Sequence, residues 1–417
     1  MPFLPFQILG IWFRGLLGLA LLGLGIYLLK QWYDEPNTVV VQAPAVRQVG
    51  VDEDGPRRVI EERVRVSRWH LALDRSTAYL AGGLTLVLLS LGGGSVGFPL
   101  LRKSGGEAAK AKPTSRGTEH RVKRPDGSEL YAQTFGPDDA PTIVMTHGWS
   151  VDSTEWDYSR DALAKGHRLI LWDLPGLGKS SRPASNDYSL ENLARDLDAI
   201  VGLAGGTPVV LLGHSIGGMI NLTYCGVFPE ALGHRVAGIV QVHTSYTNPV
   251  KTAKQHAIYE AIQKPVLGPL CHLMIWLAPV FWVMNWISYL NGSTHRSTHK
   301  SSFSGNETRE QLDKVSRYGP KAWPGVVGRG MLAMFRYDAT RTMDTVPVPC
   351  LIVPGDLDEL TTPEASVTMV ESLPKATLHT LKPARHMGHM EHHDEFVATV
   401  SGFVASCHAA ANAVMAR

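Results

Sequence analysis

A serine flanked by glycines, followed far downstream by an aspartate-rich and a histidine-rich stretch, gives this chain the residue types for nucleophilic attack on a carbonyl. Ser215 lies in Gly213-His214-Ser215-Ile216-Gly217-Gly218, after the apolar run Val209-Val210-Leu211-Leu212 and before the helical-looking stretch 219–227. A strand-to-helix turn this tight strains its central residue, so its neighbours must be glycine, and the hydroxyl is thrust out at the strand's end. A serine hydroxyl is a weak nucleophile and needs a base and an orienting acid, here expected later in the chain in the order Ser, acid, His. Asp356 and Asp358 follow the apolar run ending at Val353, and His386 and His389 follow the next one. Both stretches lie just past the C-terminal end of an expected strand, the edge where open α/β sheets build their sites.

The elements that must position these residues are short β-branched runs separated by helical stretches, the signature of a mostly parallel sheet with crossover helices. Residues 119–124 and 128–134 flank the turn Pro125-Asp126-Gly127 and read as an antiparallel pair. Buried strands are expected at 142–146, 168–172, 208–212, 236–242, 349–353 and 377–381. Between them, Leu190, Leu193, Leu197 and Ile200 recur at helical spacing within 189–203. No internal repeat is present.

From about Thr118 onward the chain resembles the α/β-hydrolase superfamily, in its cap-bearing branch. The resemblance implies an α/β fold with a mostly parallel eight-stranded sheet, helices on both faces and an inserted helical cap. The family's acid, the Asp of a Gly-x-x-Asp stretch, maps onto Gly355 and Asp358, and its base, a His five residues before a Glu, maps onto His386 and Glu391. The usual Gly before that His is Arg385 here, and Asp356 and His389 stand as alternatives. Thr146-His147-Gly148-Trp149 resembles the family's His-Gly-x loop, which implies oxyanion donors at the Trp149 and Ile216 amides. His147, Gly148, Gly213, His214 and Gly217 then support the loop and the elbow. Asp173 to Ser180 resembles the D-x-x-G-x-G-x-S loop; a phosphate-binding G-x-x-x-x-G-K-S would need glycine at Asp173.

The implied activity is that of a serine esterase or lipase acting through a Ser-His-Asp triad and an acyl-enzyme, without cofactor or metal. Ser215 argues against epoxide hydrolases and haloalkane dehalogenases, which use Asp as nucleophile. Perhydrolases, C-C bond hydrolases and non-catalytic ligand-binding proteins of this fold remain alternatives. The histidines at 386, 389, 392 and 393 invite a zinc reading, but H-E-x-x-H is missing and the four cysteines lie elsewhere. A formal net charge of +2 in 417 residues speaks against a nucleic-acid partner.

The N-terminal region 1–102 carries two apolar runs, 6–29 and 78–101, each long enough to span a bilayer. They read as an uncleaved two-span membrane anchor. Arg102, Lys103, Lys110, Lys112 and Arg116 after the second run favour a catalytic domain on the cytoplasmic side. Residues 103–117 read as a linker, and 118–248 and 339–417 as the two parts of the hydrolase core. The stretch 249–338 between them is too long for an ordinary connection and reads as the cap. Its apolar segment 266–290 passes a hydropathy test for a membrane span. A single crossing there would separate Ser215 from Asp358 and His386, so bent, interfacial lid helices are expected instead. An apolar roof beside a membrane anchor favours a small hydrophobic, lipid-like ester as substrate, with the lipid membrane as partner; the oligomeric state is open.

Overall fold

Runs of Val, Ile and Leu without an exposed alternate face form the centre of the sheet, as parallel strands covered on both sides do. The structure, a computed structural model, describes residues 5–35, 38–42, 63–67, 75–101 and 117–415. The basic residues at 102, 103, 110, 112 and 116, and all of the expected linker except Gly117, lie outside them. The strands of the main sheet are β3 (Thr118–Lys123), β4 (Glu129–Phe135), β5 (Thr142–Thr146), β6 (Arg168–Trp172), β7 (Val209–His214), β8 (Val236–Val242), β9 (Cys350–Val353) and β10 (Ala376–Leu378). Their order is β10-β9-β8-β7-β5-β6-β4-β3. From β6 to β10 the pairing is parallel, and β4 joins β6, and β3 joins β4, antiparallel. This is the eight-stranded, mostly parallel sheet that the resemblance implies.

The expected helix at 189–203 spans Leu190–Val201, where the Ser189 side chain accepts a hydrogen bond from Asn192 N–H and so caps the first turn. Its Leu190, Leu193, Leu197 and Ile200 are buried in the core. The final strand is shorter than 377–381: Leu381 leaves the ladder and makes one isolated bridge to Gly355.

Between β8 and β9 the chain forms helices only, including Gly268–Trp276, Ala278–Leu290 and Pro324–Met334. Thr247 and Asp338 bridge antiparallel, and Ala339 N–H donates to Tyr246 O at 2.8 Å. The two ends of this helical segment are therefore pinned to each other.

The two N-terminal apolar runs are helices, α1 (Pro5–Asp34) and α2 (Arg75–Leu101). Within them Phe13–Asp34 and Arg75–Gly94 have the length and composition of membrane spans. At about 1.5 Å per residue they reach roughly 30 Å, the thickness of a bilayer's hydrocarbon. They pack through small residues: a Cβ on Gly25 would lie 3.0 Å from Val87 Cγ2, and one on Gly83 would lie 2.8 Å from Leu29 Cγ. Between them in the chain, β1 (Thr38–Gln42) and β2 (Arg63–Ser67) pair antiparallel.

Candidate active site

Ser215 lies between β7 and the helix Ile216–Val227 with φ 53° and ψ −118°, the left-handed region that a non-glycine residue rarely enters. Close packing enforces this corner. A Cβ on Gly213 would sit 2.3 Å from the Gly217 carbonyl carbon, and one on Gly217 would sit 2.4 Å from Thr146 O. The strained residue is held by its own backbone: Ser215 N–H donates to Val242 O, and Ser215 O accepts from Gly218 N–H and the Thr244 hydroxyl. Ile216 is the first residue of its helix, where amides have no intrahelical acceptor.

The structure brings Asp358 and His386 together, with His386 Nδ1 2.8 Å from Asp358 Oδ2. That carboxylate is fully enclosed. Its Oδ1 accepts from the Leu360 and Thr361 amides, and its Oδ2 accepts from the Thr361 hydroxyl at 2.8 Å. Burial alone would raise the Asp358 pKa, but the charge and hydrogen bonds of the His386 and His243 imidazoles hold it well below the usual carboxylate range. Burial pushes the His386 imidazole down to about 4, against the opposing pull of Asp358. Asp356, the alternative acid, points elsewhere and accepts from Ala384 N–H.

The loop after β5 is fixed by a histidine of defined tautomer. Leu174 N–H donates to His147 Nε2 at 2.9 Å, so the proton sits on Nδ1 and is donated to Gly148 O. Trp149 is fully buried, and its indole N–H donates to Val327 O in the helical segment between β8 and β9. Asp173 organises the D-x-x-G-x-G-x-S loop by accepting from the Ser153 and Lys179 amides. With φ 52° at Gly178, a Cβ there would lie 2.2 Å from Asp173 Oδ2. The loop is thus closed on a carboxylate, the opposite of a phosphate cradle.

Several residues of the site escaped sequence reasoning. Glu155 is completely buried: its Oε2 accepts from Gly148 N–H at 3.0 Å, and its Oε1 lies 2.7 Å from His214 Nδ1. The other nitrogen of His214, Nε2, bonds the backbone oxygen of His386 at 3.0 Å. One carboxylate therefore ties together the loop at Gly148, the elbow and the loop of His386. Burial opposes ionisation of Glu155, yet the charge and hydrogen bond of His214 hold its pKa far below the ordinary value. Gly148 leaves room for this pair, since a Cβ there would lie 2.8 Å from His214 Nδ1.

His389 packs beside the pair, its ring centroid 4.5 Å from that of His214, and burial keeps it neutral. His243, in left-handed conformation at the end of β8, places Nδ1 3.5 Å from Asp358 Oδ2. Glu391, known from sequence only as a spacing marker, accepts from the Ser304 and Asn306 amides and anchors the His386 loop to the segment between β8 and β9.

The run of histidines from 386 to 393 does not converge on one point: His392 Nε2 bonds Pro383 O, and His393 Nδ1 bonds Met390 O. Among the described residues, the donors that do converge are Glu155, His214 and His389, within 4.8 Å of one another. The 2.7 Å between Glu155 and His214 is shorter than the roughly 3.3 Å between two ligands of a tetrahedral zinc. It suits a carboxylate–imidazole pair instead.

Ser215 opens on an apolar cavity walled by Met219, Val250, Tyr259, Met331, Met334 and Phe335, with Leu360 and Thr361 also in its lining. A hydroxyl at a strained corner, an enclosed carboxylate–imidazole pair and an apolar chamber can together perform acyl transfer on a hydrophobic substrate.

Comparison with known proteins gives the family. "Probable oxidoreductase EphD" of Mycobacterium tuberculosis (strain ATCC 25618 / H37Rv) is 28% identical over 155 residues, 37% of this chain and 25% of that protein. The chain thus spans about a quarter of that relative's length. The pimeloyl-[acyl-carrier protein] methyl ester esterase of Aeromonas hydrophila is 26% identical over 270 residues, covering 63% of this chain and 95% of the relative. The solved esterase of Exiguobacterium antarcticum superposes with a TM-score of 0.57 at 20% identity, over 69% of this chain and 100% of that one. A family model described as "Alpha/beta hydrolase family" matches residues 143–399, which take in β5 through the start of the last helix and every residue of the site. The chain belongs to the alpha/beta hydrolase family.

Proposed function

We propose that this protein is a membrane-anchored serine hydrolase that cleaves hydrophobic carboxylic esters. Ser215 attacks the carbonyl, His386 takes its proton and passes it to the leaving alcohol, and Asp358 orients the imidazole and stabilises its charged form. The amides of Trp149 and Ile216 bind the developing oxyanion, each such donor worth about 3 kcal/mol of barrier. Water then attacks the acyl-enzyme, with His386 as base. The observation that carries the reading is the 2.8 Å His386–Asp358 contact at the edge where Ser215 adopts the strained elbow conformation.

The acyl chain fits the chamber of Met219, Met331, Met334 and Phe335, which offers no charged side chain to a polar acyl group. We take the segment 249–338 as its cap and α1 with α2 as an anchor that leaves the catalytic domain on the cytoplasmic side. With soluble p-nitrophenyl esters, kcat/KM should rise from acetyl to octanoyl by about 1 kcal/mol or less per added methylene. A preference for acetate would count against a lipid-like substrate.

The pH profile follows from the histidine. Only neutral imidazole can accept the Ser215 proton, and burial favours that form by pulling the pKa down from 6.5 to about 4. As pH falls through 6.5, kcat/KM should therefore stay level, and the acid limb should appear only near pH 4. Stopped-flow rates on a soluble ester measure this, and an acid limb at 6.5 or above would contradict the assigned base.

A further inference from the structure

From Pro265 to His295 the sequence contains no Lys, Arg, Asp or Glu. Within that stretch the helical run His256–Trp276 meets Ala278–Leu290 at 96°. The outside of the corner is apolar: Trp276 is 78% exposed, and Leu273, Val280 and Val283 are also open. An apolar face of this size on a protein marks a surface that something covers.

What covers it is indicated by the other side of the same helices. Ala278–Leu290 packs on α1, where a Cβ on Gly15 would lie 2.6 Å from Met284 O and one on Gly18 would lie 2.6 Å from Ile287 Cγ2. Its end meets α2, where a Cβ on Gly94 would lie 2.7 Å from Leu290 O. Gly15 and Gly18 stand in the first turns of the span-length stretch Phe13–Asp34, and Gly94 closes Arg75–Gly94. Both contacts thus fall at the same end of the helix pair, within about 10 Å of the edge of the hydrocarbon that those helices are long enough to cross. A charge-free helix pinned at that depth, with an open apolar corner continuing from it, is suited to lipid.

Resting on the membrane-anchored reading above, we propose that this bent pair sits in the leaflet nearest the catalytic domain, clamped there by α1 and α2, and that the ester substrate is a lipid drawn from that leaflet. The helix Pro324–Met334 links the two regions. Its Met331 and Met334 wall the chamber at Ser215, while a Cβ on its Gly328 would lie 2.9 Å from Cys271 O in the leaflet-facing helix. The roof of the active site and the lipid-facing corner are thus adjacent layers.

The four native cysteines are buried, so a nitroxide spin label can be directed to the full-length variant Trp276→Cys reconstituted in phosphatidylcholine vesicles. Relaxation by oxygen should exceed relaxation by a water-soluble nickel chelate, whereas a label at exposed Val367→Cys should show the reverse. Nickel-dominated relaxation at 276 would overturn the proposal, as would dipolar broadening from a second label showing that another copy covers the face. In parallel, Trp276→Glu with Val280→Glu should lower hydrolysis of a long-chain ester carried in the vesicles by about tenfold and leave a soluble butyrate ester unaffected. Equal rates on both esters relative to wild type would likewise refute it. The spin-label readout needs no turnover, so it separates failure of this placement from failure of the esterase reading, which Ser215→Ala reports.

Discussion

Ser215→Ala should abolish ester turnover, lowering kcat by about 10⁶-fold while leaving the protein folded. The corner is imposed by contacts of Gly213 and Gly217 with neighbouring backbone, and by hydrogen bonds of the residue 215 backbone, none of which uses the hydroxyl. Alanine has the same Cβ and can occupy the same strained backbone. What disappears is the hydroxyl proposed to form the acyl-enzyme. The residual rate, set by the oxyanion donors and substrate binding, should still exceed water by about 10³-fold or more. Rates on p-nitrophenyl butyrate, together with circular dichroism, check this, and a fluorophosphonate probe should label wild type and not the variant. Undiminished turnover in the variant would remove Ser215 from the mechanism.

Glu155→Ala should be the most damaging substitution for stability near the site. It strips the acceptor from Gly148 N–H and leaves His214 enclosed without its carboxylate. Breaking a buried pair from one side costs about 3–5 kcal/mol, against a total stability of roughly 5–15 kcal/mol for a domain. The urea midpoint should fall accordingly. Glu155→Gln keeps an oxygen for the Gly148 amide but gives up the charge facing His214, so it should recover part of the loss. Because Gly148 immediately precedes the proposed oxyanion amide of Trp149, kcat should drop more than KM rises in that variant. A Glu155→Ala protein within 1 kcal/mol of wild type would show that the carboxylate does not hold the loops.

The sheet was legible because its central strands are buried on both faces and read as uninterrupted β-branched runs. The spans at 142–146, 168–172 and 236–242 coincide with β5, β6 and β8. The tail of the last strand was not, since Thr377 to Leu381 continues an apolar-containing pattern while the pairing with β9 stops at Leu378. The bend at 276–278 agrees with the expectation that this apolar stretch forms bent helices rather than one straight span. Of the site, Ser215 could be read from local sequence because the elbow is a local constraint. Asp358 and His386 needed family resemblance to choose them over Asp356 and His389.

The Glu155, His214, His243 and His389 network was invisible for a physical reason. Its members come from four separate parts of the chain, the end of β7, the residue after β8 and two short helical turns, which meet only once the sheet has formed, and no spacing rule links positions so far apart. A signal was present in the sequence, however: Glu155 immediately precedes the apolar Trp156 just after the His147 loop, and both side chains are wholly buried. A carboxylate next to a core tryptophan needs a partner, and the histidine before the nucleophile was the available one. The strands β1 and β2 lay in a segment whose mixed charges concealed the alternation of Arg63 to Ser67.

The bridge between Thr247 and Asp338, with Tyr246 and Ala339 beside it, works like a drawstring at the base of a pouch. Lengthening or shortening what lies inside need not shift β8 against β9, provided the bonds from Ser304 and Asn306 to Glu391, which hold the loop of His386, are kept. Under the proposed esterase function, the acyl pocket can change within those limits while the residues proposed for the reaction stay where they are.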